Sequence, residues 1–190
     1  MQIGKTLYIQ NRKAWRAWLR KHHASEPEIW LVYYRKDSGK PRIAYEEAVE
    51  EALCYGWIDS IEKSIDAERF AQRFSPRRKT SVLSEPNRER LRKLIRQKKM
   101  TKAGLEAVAH VFDPKKDARA GKIVVPAYIQ QALKAQPGAW KYFQQFPDSY
   151  KRIRIAYIES QKKHGKAQHH TALRNFVTKT AQGKRIGFRI

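Results

Sequence analysis

Residues 56–78 read GWIDSIEKSIDAERFAQRFSPRR and predict one β-hairpin, around which the first half of the chain is organised. Apolar and polar side chains alternate in residues 57–65 and again in residues 69–75, as they do in half-buried strands. Asp66 and Ala67 lie between the two runs and are predicted to form the turn. The pattern therefore favours a sheet that contains antiparallel strands.

A two-residue turn places Asp59 opposite Phe74 on the apolar face of this hairpin. Glu62 then lies between Arg69 and Arg73 on the other face, where a surface ion pair contributes little stability. A carboxylate on an apolar face needs a hydrogen-bond partner. Asp59 is therefore the unusual residue of the hairpin.

The rest of the first half predicts one more strand and several helices. Residues 28–35 are rich in β-branched and aromatic side chains and are apolar on both faces, so they predict a central strand. Asn11 is placed to cap a helix before this strand, and Ser84 is placed to start another after the hairpin. Further helices are predicted at residues 45–53 and 103–112. Four acidic residues are expected on the polar side of helix 45–53: Glu46, Glu47, Glu50 and Glu51.

The second half predicts a separate group of helices. Residues 113–126 have no amphipathic period and are bracketed by prolines, so they predict a linker. Helical patterns follow at residues 127–134, 139–146, 149–163 and near 171–180. We therefore predict an α+β fold, with a small, mainly antiparallel sheet and packed helices in residues 1–112 and a C-terminal helical module in residues 127–190.

The net charge is extreme for a chain of this size. Its 190 residues carry a formal charge of +23 and a pI near 10.3. Residues 1–100 hold 23 Lys and Arg against 13 Asp and Glu, and residues 101–190 hold 18 against 5. A field of this sign attracts nucleic acid, anionic lipid headgroups or phosphorylated small molecules. A charge spread over folded helices is also typical of an ordinary solvated surface, so both interpretations stay open.

Several classes of protein lack support in the sequence. The single cysteine, Cys54, cannot form a disulfide framework, and the histidines do not have the spacing of a metal site. No signal-peptide pattern follows Met1, and nowhere do about 18 apolar residues run together. We expect a cytoplasmic protein with no membrane insertion, no metal and no cofactor. The oligomeric state stays open.

The hairpin and the residues after it carry the side chains of a candidate ligand site. A tryptophan offers stacking area, three arginines offer rigid donor groups, and a serine adds a hydroxyl. Asp59 would orient an arginine or accept a hydrogen bond from the ligand. These residues are Trp57, Asp59, Arg73, Arg77, Arg78 and Ser81. The set predicts an anionic or aromatic small molecule as partner, and a solvated turn is the alternative for Arg77 and Arg78.

Two other functions stay open. Arg88, Arg92 and Arg96 recur every four residues on the predicted outer side of one helix, and Lys99 follows them. Together with the basic C-terminal half of the chain, such a stripe predicts nonspecific binding of nucleic acid along a phosphate backbone. An enzyme is the third interpretation, because an acid–base pair that includes Asp59 would leave no linear motif. No recognisable catalytic set is present, so a non-enzymatic binder is favoured.

Four motifs, in this order, carry a family resemblance: Gly56-Trp57-Ile58-Asp59, Arg73-Phe74-Ser75-Pro76-Arg77-Arg78, Ser81-x-x-Ser84 with Asn87, and Met100-x-x-Ala103-Gly104-Leu105. They resemble the YdeI/OmpD-associated family of bacteria, also called bacteriocin-protection proteins. The resemblance implies a loose role in tolerance of bacteriocins or cationic antimicrobial peptides, with no agreed ligand or catalytic residue. It adds Asn87 to the predicted ligand-binding residues.

The resemblance is weaker in the C-terminal half, and the chain departs from the family pattern in two places. Residues resembling the family's helical module are Pro126, Ala132, Leu133, Phe143, Phe146 and Tyr150. Leu83 stands where the family usually has tryptophan, and residues 161–168 follow the family's basic segment poorly. Direct capture of a cationic peptide is disfavoured, because a strongly cationic protein repels it.

Overall fold

The chain folds as two compact units, Met1–Arg119 and Ala120–Ile190. The computed structural model describes residues 2–117, 119 and 121–187. The division falls inside the predicted linker, residues 113–126, and this segment contains one helical turn at Pro114–Asp117. Ile123 and Val125 at its end pack against the core of the second unit.

The first unit contains a four-stranded sheet. Its strands are β1 (Thr6–Tyr8), β2 (Ile29–Tyr34), β3 (Trp57–Ser64) and β4 (Arg69–Pro76), in the spatial order β1-β2-β4-β3. The pairs β2–β4 and β3–β4 are antiparallel, whereas β1 runs parallel to β2. The predicted α+β fold is confirmed, and the short strand β1 makes the sheet mixed rather than purely antiparallel.

Five helices accompany this sheet among the described residues. They are α1 (Arg12–His22), α2 (Tyr45–Cys54), α3 (Glu85–Arg96), α4 (Lys102–Val108) and the single turn α5 (Pro114–Asp117). A short 3-10 turn, Lys36–Ser38, follows β2. The predicted cap is present on α1, where the Asn11 side chain accepts a hydrogen bond from the Ala14 N–H.

The main core of the first unit lies between one face of the sheet and helices α1 and α2. Trp15 and Leu19 of α1 and Leu53 of α2 are fully enclosed against Leu31 and Phe74 of the sheet. Because side chains alternate along a strand, the residues of β2 that face these helices are Ile29, Leu31 and Tyr33. This alternation also brings Tyr33 to the edge of the core, beside the start of α2.

The hairpin keeps the predicted pairing of Asp59 with Phe74, although its turn is longer than predicted. A two-residue turn at Asp66 and Ala67 would pair Ser64 with Arg69. Ser64 instead pairs with Phe70, one residue further along β4. A β-bulge between Asp59 and Glu62 absorbs the additional residue, so the predicted register is restored beyond it.

Arg69 and Arg73, which were predicted to lie on either side of Glu62, form ion pairs with other carboxylates. Arg69 bonds Asp66 at 2.6 Å, and Arg73 bonds Glu28 at 2.6 Å. The Arg73 hydrogen bonds lower the pKa of Glu28 below its usual value. Both arginines of β4 are therefore held by carboxylates outside strand β3.

Two glutamates of α2 are buried, which corrects the expectation that they lie on a polar outer side. Arg12 donates to both Glu50 and Glu51, and Arg16 also donates to Glu51, at 2.6 Å. Lys93 of α3 donates to Glu50 at 2.8 Å. These ion pairs allow α1 and α3 to cover the acidic side of α2.

Helix α4 lies unusually close to the end of α2. A Cβ atom on Gly104 would be 2.2 Å from the Cys54 carbonyl oxygen and 2.8 Å from the Leu53 carbonyl oxygen. Thr101 caps α4 by accepting from the Gly104 N–H, and its hydroxyl donates to the Cys54 carbonyl. Only glycine fits at position 104 without moving one of the two helices.

The second unit is the helical module expected from the sequence. Its helices are α6 (Ala127–Ala135), α7 (Ala139–Gln145), α8 (Asp148–Ser160) and α9 (Lys166–Ala181), with a 3-10 turn at Gln161–His164 between the last two. Ile129, Leu133, Phe143, Ile158 and Phe176 are fully or almost fully buried in its core. None of the described helices combines the length and apolar character needed to span a membrane.

Candidate functional site

A pocket of about 520 Å³ opens in the first unit where strand β2 ends and helix α2 begins. We call it the tyrosine pocket. Its lining comes from β2, the following loop, the first turn of α2 and the β3–β4 hairpin. The residues that line it are Tyr33, Lys36, Arg42, Ile43, Ala44, Tyr45, Glu46, Glu62 and Phe70.

Sheet pairing builds the aromatic wall of the tyrosine pocket. Tyr33 of β2 lies opposite Phe70 of β4, and their rings stack with centroids 5.2 Å apart and planes 7° from parallel. The guanidinium groups of Arg35 and Arg42 lie about 6 Å from the centre of the Phe70 ring, within cation–π range. Arg42 is further held by a hydrogen bond to the Tyr34 carbonyl. The wall is therefore rigid and positively charged at its rim.

The hydroxyl of Tyr33 is the most unusual atom of the pocket. The residue is 2% exposed, and its buried hydroxyl has no hydrogen-bond partner among the described residues. Burial raises the pKa of Tyr33 well above its usual value, so the hydroxyl stays protonated even at alkaline pH. A buried hydroxyl without a partner is costly and uncommon. Within the described residues, the Tyr33 hydroxyl is therefore an unused hydrogen-bond donor in a residue that lines the pocket.

The charged groups around the pocket carry both signs. Lys36 and Arg42 are basic, and Glu46 and Glu62 are acidic. Helix α2 also starts here, and its N-cap residue, Ala44, has no side chain that can bond the free N–H groups of the first turn. This arrangement can bind an anionic group and, beside it, a group that donates hydrogen bonds.

Asp59, the unusual carboxylate of the hairpin, finds its partner next to the pocket. It accepts a hydrogen bond from the hydroxyl of Tyr45, the first residue of α2. Burial and this hydrogen bond raise the pKa of Tyr45, and the positive charge of Arg90 opposes the rise. Tyr45 therefore connects the tyrosine pocket to a polar region at the start of β3 and α3. We define this polar region by Asp59, Arg77, Asn87 and Arg90.

Arg77 contributes a buried cation to this polar region. It is 8% exposed, and its Nη1 donates to the Val82 carbonyl at 3.2 Å. Its Nε and Nη2 are buried and have no hydrogen-bond partner within the described part of the chain. Burial lowers the pKa of Arg77, and the nearby charge of Asp59 opposes this effect. Arg77 thus adds positive potential that the protein does not fully neutralise.

Trp57, Arg73 and Arg78 do not join Asp59 and Arg77 in the polar region, and none of the residues predicted to bind a ligand lines the tyrosine pocket. Trp57 lies in the core, where its Nε1 donates to the His23 carbonyl, so it does not form the expected stacking surface. Arg73 lies on the opposite face of the sheet because it alternates with buried Phe74. Arg78 is exposed.

Ser81 and Asn87 lie near the polar region but make internal contacts. The Ser81 carbonyl accepts from the His110 ring, and Asn87 is buried and accepts from Arg90 at 2.9 Å. Asn87 thus orients Arg90, one of the charges that act on Tyr45. Whether these residues bind a ligand stays a prediction.

The predicted basic stripe on α3 is interrupted. Arg92 is buried and donates to Glu85 at 3.0 Å and to Glu89 at 2.6 Å, so its position on the outside was predicted wrongly. It also donates to the Asp117 carbonyl. Arg96 is exposed, whereas Arg88 and Lys99 are half-buried. These residues therefore do not form one continuous basic stripe.

Sequence analysis predicted none of the nine residues that line the pocket, among them Tyr33, Arg42, Tyr45 and Phe70. The run of residues 29–34 is apolar on both faces, so its pattern could not show which side chains face a cavity. One available signal was that this run ends in two tyrosines rather than aliphatic residues. Among residues 2–117, 119 and 121–187, no group of three or more potential ligands is arranged to hold a metal ion.

Two family models match this chain. One, described as "Domain of unknown function (DUF8412)", matches residues 7–107, which is more than half of the sequence. The other, described as "Bacteriocin-protection, YdeI or OmpD-Associated", matches residues 122–183. The resemblance to the YdeI/OmpD-associated family is therefore confirmed for the C-terminal module. The four motifs between Gly56 and Leu105 lie instead in the segment matched by the first family.

Neither of two further comparisons found a significant match. No curated protein matches the chain. No solved structure matches it either.

Proposed function

This chain belongs to the family of the domain of unknown function DUF8412, and we propose, from the site alone, that its first unit is a non-enzymatic receptor for a small organic anion. The ligand would occupy the tyrosine pocket. It would carry a carboxylate or phosphate group and, beside it, an amino or hydroxyl group.

The buried hydroxyl of Tyr33 carries this proposal. Tyr33 lines a pocket of about 520 Å³, which is large enough for a small metabolite. Among the described residues its hydroxyl has no partner, although buried polar groups are nearly always hydrogen-bonded. A ligand oxygen that accepted from this hydroxyl would remove the cost of leaving it unpaired.

The charges around the pocket support the chemical class of the ligand. Lys36, Arg42 and the first turn of α2 favour an anionic group, because cations and free helix N–H groups attract negative charge. Glu46 and Glu62 disfavour a ligand that is only an anion and favour one that also donates hydrogen bonds. An amino acid, a hydroxy acid or a phosphorylated sugar has both kinds of group.

The proposed receptor is not expected to capture a bacteriocin or a cationic peptide directly. The net charge of +23 repels a cationic peptide. The words "bacteriocin-protection" belong to the description of the family that matches residues 122–183. Binding of a small anion in the first unit would be a separate property of the same chain.

Removing the Tyr33 hydroxyl is expected to weaken ligand binding about tenfold without destabilising the free protein. The substitution Tyr33→Phe keeps the stacked ring and deletes only the unpaired hydroxyl. The measurement is a thermal-shift screen with amino acids, hydroxy acids and phosphorylated sugars at low and near-physiological salt, followed by calorimetric titration of the best compound. Inorganic sulfate serves as a purely anionic reference.

Tyr34→Phe is the matched control for this experiment. Tyr34 is the next residue of β2, so its side chain points to the other face of the sheet, and its substitution should leave affinity unchanged. A compound that keeps full affinity for both Tyr33→Phe and Arg42→Ala would overturn the proposal. A shift that sulfate reproduces and that salt abolishes would also overturn it.

Replacing Arg77 with methionine is expected to stabilise the folded protein by about 1 kcal/mol and to weaken binding of the same compound severalfold. Methionine fills a similar volume and needs no partner for the two buried nitrogens. The lost bond to the Val82 carbonyl costs little, because Val82 is highly exposed. The measurement pairs denaturant unfolding with calorimetric titration.

The neighbouring arginine supplies the control. Arg78→Met removes the same charge at an exposed position and should change neither stability nor affinity appreciably. Loss of stability in Arg77→Met would contradict the view that this cation is retained for binding rather than for folding.

A further inference from the structure

The second unit is strongly basic. Residues 121–190 contain 14 Lys and Arg and only two acidic residues, Asp148 and Glu159. Each of these two carboxylates is engaged by a lysine, Asp148 by Lys151 at 3.2 Å and Glu159 by Lys162 at 2.8 Å. Little negative charge is left to offset the field of this unit.

A groove of about 340 Å³ lies on this unit between the end of α8 and the first turns of α9. Its walls carry amide, hydroxyl and phenol groups, and of the described residues that line it none is acidic. The lining residues are Tyr157, Gln161, Ala167, Gln168, Thr171, Ala172 and Asn175. Amide groups both donate and accept hydrogen bonds, as the edges of nucleobases do.

Tyr157 presents an aromatic ring at this groove. It is 38% exposed, although it is a large side chain in a small helical unit. The guanidinium of Arg154 lies 4.5 Å from the centre of the Tyr157 ring and is itself buried. This contact holds the ring in place and adds positive charge beneath it.

A row of basic side chains runs beside the groove. Lys166, His170 and Arg174 are exposed and lie on successive turns of α9, one position before the groove residues 167, 171 and 175. Residues spaced by four form a row along one side of a helix. The basic row and the groove are therefore adjacent along the same stretch of α9.

We propose that this groove binds single-stranded nucleic acid, with the phosphate backbone along Lys166 and Arg174 and a base stacked on Tyr157. Proteins that bind single strands combine a positive groove with aromatic side chains on which bases stack. Amides in the groove would bond the base edges, which a duplex keeps paired. The site lies in the second unit and does not depend on the small-anion proposal.

Fluorescence anisotropy of the full chain with a labelled 12-nucleotide RNA or DNA strand of mixed sequence tests the proposal. Loss of the ring in Tyr157→Ala should weaken binding about tenfold, whereas Tyr157→Phe should keep most of the affinity. Tyr142→Ala is the matched control, because Tyr142 has the same exposure of 38% and does not line the groove. Circular dichroism verifies that each variant is folded.

Two double variants distinguish binding at the groove from nonspecific attraction by the net charge. Lys166→Gln with Arg174→Gln should reduce the slope of log affinity against log salt by about 1.4, because each phosphate contact on a single strand contributes about 0.7. Lys122→Gln with Lys141→Gln removes the same charge from exposed positions outside helices α8 and α9, and should change the slope less.

Heparin is the reference polyanion, because it has charge but no bases. Tyr157→Ala should leave heparin binding unchanged while it weakens binding of the strand. Equal losses for heparin and the strand, or equal effects of the two double variants, would overturn the proposal. Tighter binding of a 12-base-pair duplex than of the single strand would also overturn it.

Discussion

Replacing Gly104 with alanine is expected to destabilise the first unit by about 3 kcal/mol. The added Cβ would lie 2.2 Å from the Cys54 carbonyl oxygen, 2.6 Å from the Cys54 carbonyl carbon and 2.8 Å from the Leu53 carbonyl oxygen. These are backbone atoms at the end of a buried helix, and they cannot rotate away as a flexible side chain would. Either α4 moves outward or α2 loses its last turn, and both changes disrupt the hydrogen bond from Thr101 to Cys54.

Urea unfolding followed by tryptophan fluorescence measures this effect. Four of the five tryptophans lie in the first unit, so the signal reports mainly on that unit. Gly39→Ala is the control: Gly39 has a positive φ of 66°, but a Cβ there would contact nothing within 4 Å. It should cost only about 1 kcal/mol, the conformational penalty alone. Equal losses in the two variants would show that close packing is not what requires Gly104.

Replacing Glu51 with glutamine is expected to cost about 3 kcal/mol, because it removes the shared partner of two arginines. Glu51 is 1% exposed and binds Arg12 at 2.5 Å and Arg16 at 2.6 Å. The amide is close in volume to the carboxylate, so the variant changes charge and not packing. Arg12 keeps its bond to Glu50, which limits the loss.

The exposed pair Lys102–Glu106 offers the matched control. Its atoms are 3.8 Å apart on the surface of α4, so Glu106→Gln should change stability by no more than about 0.5 kcal/mol. The same urea assay measures both variants. If Glu51→Gln were as mild as Glu106→Gln, the buried ion pairs would not be what joins α1 to α2.

Most elements of the first unit could be predicted from local patterns, because each element shows a clear signal in neighbouring residues. The central strand, the capped first helix and the pairing of Asp59 with Phe74 follow from alternation, capping and the position of a turn. Strand β1 could not be predicted, because three residues are too few to show a period and their pairing with β2 is non-local. The β-bulge was also missed. The turn is one residue longer than predicted and the bulge shifts the register back by one, so the predicted pairing of Asp59 with Phe74 was correct without either feature.

The candidate site was harder to predict than the fold, because burial of a charged side chain depends on three-dimensional packing that a linear pattern of residue types does not show. Arg92 looked like part of an exposed stripe, but Glu85 and Glu89 draw it inward. Arg77 was predicted as a ligand residue, with a solvated turn as the alternative; the structure buries it, and two of its three guanidinium nitrogens have no hydrogen-bond partner among the described residues. Tyr33 shows the same limit, since its aromatic pattern predicted a strand and nothing about a cavity.

The two edge strands of the sheet, β1 and β3, are poorly suited to pair with a second copy of the chain. Exposed strand edges can pair with a second molecule and begin ordered aggregates. Here one edge, β1, is only three residues long, and the other, β3, is interrupted by a bulge beside charged Glu62 and Lys63. A chain that concentrates around polyanions has its charge neutralised there and loses the repulsion that keeps copies apart. The blunted edges would then preserve solubility when charge no longer does.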